Sequence, residues 1–188
     1  EKAEVGALPE GWSAAETAGA GTPGTWQTIQ ANDAPSGKKS FGLTATENSG
    51  HTFNLAILEG TDFQDLSIRV KVKSLSGKED QGGGPIWRVK DPDNYYIARW
   101  NPLEENFRVY FVKEGRRKQL ASAKVTAATG QWHAIEIVMS GDKIKAAFDD
   151  KELFEIEDKT FESGGMVGLW TKADAVTAFD DFEVKRRP

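Results

Sequence analysis

The chain has 188 residues, a net charge of −5 and no cysteine, with 38% hydrophobic and 28% charged residues. Without cysteine there are no disulfides, no thiolate catalysis and no cysteine-ligated zinc, and two histidines, His51 and His133, give an imidazole metal site little to work with. The acidic balance argues against nucleic acid as a partner, which demands a basic face, and no apolar run approaches the roughly 18 residues of a bilayer span, so no membrane insertion is expected.

The chain opens on "EKAEVGALPEGW", which carries no basic-then-apolar leader and reads as a mature fragment. An exported protein, periplasmic or extracellular, is the expectation. Residues 1–50 are rich in Gly, Pro, Ala, Ser and Thr, as in "ETAGAGTPGTW" and "DAPSGKKS", yet Trp12, Trp26, Ile29, Phe41 and Leu43 recur through them. A free linker has no use for those side chains, so an irregular but docked segment is predicted.

From Phe53 the apolar residues recur at period two: Phe53, Leu55, Ile57, then Leu66, Ile68, Val70 and Val72, with Ser67, Arg69, Lys71 and Lys73 between the last four as a wet face. "NYYIARW", "NFRVYFV", "WHAIEIVMS", "DKIKAAFDD", "ELFEIED", "GMVGLWT" and "VTAFDDFEV" follow at short intervals, separated by turn chemistry such as Asp91-Pro92-Asp93-Asn94 and Ser140-Gly141-Asp142. This spacing predicts one all-β domain over residues 1–188, a two-sheet sandwich whose main body runs from 53 to 184.

One stretch concentrates chemistry: "DQGGGPIWRVKDPDNYYIARWNPLEENFRVYFV", Asp80 to Val112. Alternation puts Phe107, Val109 and Phe111 on one face and Arg108, Tyr110 and Val112 on the other; in the preceding segment Tyr95, Ile97, Arg99 and Asn101 form the matching set. Hairpin pairing would gather these on one surface with Arg88. Three Arg, two Tyr and an Asn there suit sugar hydroxyls or a carboxylate, because Arg offers five fixed donors and Tyr adds area and a hydroxyl. Ordinary cross-strand pairing is the competing account. Gly82-Gly83-Gly84, just before, either lets backbone approach a ligand, bends a strand or marks a loop tip.

Further along, Trp170 and Lys172 alternate against Leu169 and are expected on the same ligand face, Trp170 as a platform for a sugar ring unless it is packed into the core. Trp132 and His133 read as structural, His51 follows a turn and has no assigned role, and Arg116-Arg117-Lys118 reads as a solvated hairpin turn. Phe179 and Phe182 cannot both point inward at period two, so a bulge is predicted at Asp180 and Asp181.

Taken together, "GGGPIWRVKDPDNYYIARWNPLEENFRVYFVKEGRRKQLASAKV" and "GQWHAIEIVMSGDKIKAAFDDKELFEIEDKTFESGGMVGLWTKADAVTAFDDFEV" resemble the concanavalin A-like lectin/glucanase superfamily. Within it they are similar to bacterial laminin-G-like domains labelled glycosyl hydrolases and to 3-keto-disaccharide hydrolase-like domains. The resemblance covers about Phe53 to Val184. It implies a curved jelly roll with its ligand on the concave sheet, and a structural calcium near the sheet edge that would use Asp180 and Asp181 with loop carbonyls. No cofactor is required.

Laminarinase-type members carry alternating carboxylates as nucleophile and acid. Glu155-Ile156-Glu157-Asp158 is the near look-alike, and its strand ends where the third carboxylate should stand. Three functions are therefore carried forward: carbohydrate recognition by Arg88, Tyr95, Arg99, Asn101, Arg108, Tyr110, Trp170 and Lys172; glycoside cleavage, with Glu136 the best single carboxylate; and a protein-interaction module of the laminin-G-like kind.

Overall fold

In the computed structural model, which describes residues 2–187, fourteen strands pair into two antiparallel sheets of seven. The first runs, in spatial order, β1 (Trp12–Glu16), β4 (Phe53–Phe63), β13 (Gly165–Lys172), β6 (Gly84–Asp91), β7 (Asn94–Asn101), β8 (Asn106–Lys113) and β9 (Arg116–Lys124). The second runs β12 (Lys151–Glu157), β11 (Lys143–Phe148), β10 (His133–Ser140), β5 (Leu66–Ser76), β14 (Val176–Arg186), β3 (Lys39–Ala45) and β2 (Thr25–Gln30).

Period-two patterning places the core between the sheets. Leu66, Ile68, Val70 and Val72 of β5 are buried there with Ile135 and Ile137 of β10, and they meet Trp87, Tyr96, Trp100, Phe107 and Leu169 of the first sheet. The Trp100 ring lies 5.6 Å from that of Phe148 and 4.8 Å from His133. His133 is structural, as its alternation implied: Nδ1 sits 2.7 Å from an Asp149 carboxylate oxygen and Nε2 2.9 Å from the Ala128 carbonyl.

Residues 1–50 are more regular than their composition predicts, since β1 extends the edge of one sheet and β2 and β3 extend the other. Trp12 joins the two, its ring 4.9 Å from Phe41 and 5.5 Å from Phe182. Gly and Thr hid the alternation, and tertiary pairing overrode the weak local preference. The bulge predicted in β14 is present: register slips between Asp180 and Glu183, and Asp181 takes a φ of 48°.

The outer face of the first sheet is also covered. Phe53, Leu55, Ile57, Ile86, Tyr95, Ile97, Val112 and Trp170 form a second buried cluster there. A 3-10 turn over Thr17–Gly19 helps to close it, with the Thr17 hydroxyl 2.7 Å from the Tyr95 hydroxyl and donating to the Pro92 carbonyl at 2.9 Å.

The glycine run has a packing explanation. A Cβ at Gly82, Gly83 or Gly84 would overlap the backbone oxygens of Trp100, Trp170 and Ala98 respectively, so the chain threads between β7 and β13 where only glycine fits. Gly84→Ala is expected to lower stability by about 3 kcal/mol through overpacking, read as a shifted denaturant midpoint at unchanged slope.

Candidate functional site

The β7–β8 hairpin sets Arg99 opposite Arg108, Ile97 opposite Tyr110 and Asn101 opposite Asn106 on that outer face. Two like charges facing each other are destabilising unless a counter-charge lies between them. Glu104, in the connecting turn, supplies it. Its Oε2 accepts from Arg99 Nη2 at 3.0 Å, Arg108 Nη1 at 2.9 Å and Asn106 Nδ2 at 3.0 Å, while its own N–H donates to Asn101 Oδ1 at 3.1 Å. Burial pushes the Glu104 carboxyl up, but the Asn106 hydrogen bond and the Arg99 and Arg108 charges outweigh it and hold the group at about 2.

Arg99 is the centre of the cluster. It is 1% exposed, and its remaining hydrogen bonds go from Nη1 to Asn106 Oδ1 at 3.2 Å and from Nη2 to the Tyr110 hydroxyl at 3.2 Å. Beside it lies Asp80, also 1% exposed, which accepts from Asn101 Nδ2 at 2.9 Å and Lys172 Nζ at 3.0 Å. Burial drives the Asp80 carboxyl above its ordinary value, against the Arg99 and Lys172 charges that pull it down. The loop that carries Asp80 is pinned by Asp174, whose carboxylate accepts from the backbone N–H groups of Lys78, Glu79 and Asp80 at 2.6, 3.0 and 3.1 Å.

Arg117 completes the site, and the sequence reading assigned it to solvent. It stands on β9 opposite Val112, with its guanidinium 4.5 Å from the Tyr110 ring centre, 5.0 Å from Phe53 and 5.8 Å from Trp170. A register shift between Val109 and Tyr110 reverses the alternation of β9 and turns Arg117 onto the outer face. No local sequence pattern announces that bulge.

The predicted residues divide accordingly. Arg99, Asn101, Arg108, Tyr110 and Lys172 come together as expected. Tyr95 and Trp170 take the expected face but are fully buried, forming the floor beneath Arg117 and the Thr17 turn rather than a surface a ligand could stack on.

Arg88 is not in the site. It sits at a break in the β6–β7 register with a φ of 47°, and its side chain runs to the connections of the other sheet. There it donates to the carbonyls of Gln64, Phe161 and Gly141 at 2.9, 2.6 and 2.8 Å.

The carboxylates offered for hydrolysis are elsewhere too. Glu136 lies on β10 of the second sheet, paired with Arg69, and Glu155 pairs with Lys145 at 3.0 Å on the solvated β11–β12 hairpin. Asp80 and Glu104 are the acids bonded to this cluster's cations, and neither was singled out from sequence; a glutamate in the turn of a hairpin whose opposed residues are both Arg was the available signal. Asp180 accepts from the Ser36 N–H at 2.9 Å and, with Asp181, lines a cleft of about 570 Å³ beside Trp12, Phe41 and Phe182, apart from this site. No group of three or more His, Asp or Glu that could hold a metal occurs among the described residues.

Comparison with known proteins gives a consistent fold. Residues 94–187 match the family model described as the galactocerebrosidase C-terminal lectin domain. No curated protein matches the chain by sequence. Among solved structures, the carbohydrate-binding module CBM66 from Bacillus subtilis is similar with a TM-score of 0.71 and 19% identity, over 93% of this chain and 95% of that one. A Bacillus subtilis protein of unknown function with a galectin-like fold gives 0.65 at 11% identity, over 94% and 90%. Domain 4 of AbnA, an extracellular arabinanase from Geobacillus stearothermophilus in complex with arabinotriose, gives 0.60 at 12%, over 92% and 81%. These likenesses bear out the two-sheet jelly roll.

Proposed function

Because this chain belongs to the galactocerebrosidase C-terminal lectin domain family, we propose that it is a carbohydrate-binding domain whose ligand docks on the outer face of the first sheet, against Glu104, Arg108, Arg117 and Lys172, which the buried Asp80, Arg99 and Asn101 support from beneath. The observation that carries this reading is a preassembled polar cluster: Arg99, Asp80 and Asn101 are each 1% exposed, Asn101 donating to Asp80 and Arg99 donating to Glu104, Asn106 and the Tyr110 hydroxyl. Burying such groups is costly, and a pre-ordered set of donors and acceptors lowers the entropic cost of gripping hydroxyls. A protein-docking surface would instead show a contiguous apolar patch, whereas the rings here lie beneath charged side chains. Work on extracellular or periplasmic glycans fits this role, and no helix among the described residues is long and apolar enough to cross a membrane.

A glycan array followed by calorimetry tests the proposal. Selective binding that is lost in Asp80→Asn is expected, with affinity in the wild type falling on acidification above the ordinary carboxylate value as Asp80 takes up a proton. Glu104, held at about 2, stays ionised through that range, so the fall in affinity follows Asp80 and not Glu104. A chelator arm tests calcium at Asp180 and Asp181. Absence of binding to any glycan would overturn the reading.

A second reading rests on the same two acids. Asp80 is pushed up and Glu104 down, the divergence that separates a proton donor from a carboxylate base. Release of reducing sugar from a bound glycan, lost in both Asp80→Asn and Glu104→Gln, would move the assignment to hydrolase.

A further inference from the structure

The charges within this cluster do not balance. Among the described residues, the salt bridges of Arg99, Arg108, Arg117 and Lys172 are made by Asp80 and Glu104: Glu104 serves Arg99 and Arg108, and Asp80 serves Lys172. Arg117 makes no salt bridge among the described residues, and its Nη1, like the Nε of Arg99, is buried without a hydrogen-bond partner. A cation in that position is disfavoured by its surroundings, and burial indeed depresses the Arg117 pKa. The surplus of two positive charges is local, in a chain of net charge −5.

Ring stacking is also closed to a ligand. Trp170, Tyr110 and Phe53 are 0%, 3% and 8% exposed, and the Arg117 guanidinium covers them. Neutral sugars draw much of their affinity from such stacking on aromatic faces, so what this face presents to solvent instead is cationic: Arg108 and Lys172 side chains 29% and 18% exposed, and Arg117 of the edge strand β9 partly exposed.

Resting on the sugar-binding reading above, we infer that the ligand is a sugar residue bearing a carboxylate, with the acidic group seated on Arg117 and the ring hydroxyls turned toward Glu104, whose side chain is 42% exposed. A carboxylate fits the planar fork of a guanidinium with two parallel hydrogen bonds and would give Arg117 the direct salt bridge that Asp80 and Glu104, acting on it only at a distance, do not make. The aromatic floor then fixes the guanidinium plane rather than the sugar.

The test compares matched pairs by calorimetry on the whole chain: methyl galactoside against methyl galacturonide, methyl glucoside against methyl glucuronide, and the 6-sulfates of both neutral sugars. The carboxylated member of at least one pair is expected to bind ten-fold or more tightly, with affinity falling steeply as salt rises. Arg117→Gln should erase the difference within the pair, and Arg117→Lys, which keeps the charge and loses the fork, should retain part of it. Salt dependence in the unaltered protein keeps the question answerable if the variants fold poorly. Equal or tighter binding of the neutral sugars overturns the inference and leaves the sugar reading standing. Preference for the sulfates overturns the choice of carboxylate, and failure of every glycan on the array overturns both.

Discussion

Arg88→Met is expected to lower the unfolding free energy by about 3–5 kcal/mol, the cost of breaking a fully buried charged network, and to leave sugar affinity per folded molecule unchanged. Arg88 is 0% exposed and is the common donor to Gln64, Phe161 and Gly141, whose carbonyls lie on the β4–β5, β12–β13 and β10–β11 connections, with Asp65 3.4 Å away. Met keeps most of the volume and removes every donor, so the three oxygens lose a shared partner inside the protein. Urea denaturation gives the stability, and titration with a bound glycan under native conditions gives the affinity. A loss of affinity in the folded variant would place Arg88 in the site after all.

Arg99→Met is expected to abolish measurable glycan binding while lowering stability by about 2–3 kcal/mol, below the usual cost of a buried pair because its partner Glu104 has a side chain 42% exposed and recovers water. Arg108→Met should cost under about 1 kcal/mol, since both partners of that pair are reached by solvent. The contrast is informative. Both residues contact the same Glu104 oxygen and the Tyr110 hydroxyl, yet of the two only Arg99 also donates to Asn106 from beneath. Comparable binding losses in the two variants would mean that the ligand reads the rim and not the ordered centre.

Stability carries a pH signature of its own. Glu104 is depressed to about 2 from an ordinary 4.5, so its contribution is fully present above 4.5 and is lost as pH falls through the interval between those values. Asp80 works in the opposite sense: its folded-state value is raised, so protonation favours the folded chain as pH falls toward 3.8 even while it removes the counter-charge that holds Lys172.

Much of this was legible in the residues. The alternation of Tyr95, Ile97, Arg99 and Asn101 against Tyr96, Ala98 and Trp100 is a direct readout of pleat geometry, and the register of β7 with β8 follows from the short connection between them. That is why Arg99, Arg108, Tyr110 and Asn101 were placed correctly, and why the β14 bulge could be inferred from two phenylalanines out of phase. The misplacements share one cause. Arg88 and Arg117 both lie beside register shifts, and a single extra residue in a strand exchanges its faces. The Asp80 and Glu104 carboxylates sit in connections, where no period constrains direction.

By itself, then, the sequence determined the all-β class, the two apolar faces and the hairpin that brings two arginines together, because these follow from short-range periodicity. The tertiary structure alone decided which rings are covered, which arginine supports the sandwich and which one is left without a counter-charge. Those outcomes depend on bulges and on loops such as the one carrying Asp80, whose position is set by Asp174, 94 residues further along the chain.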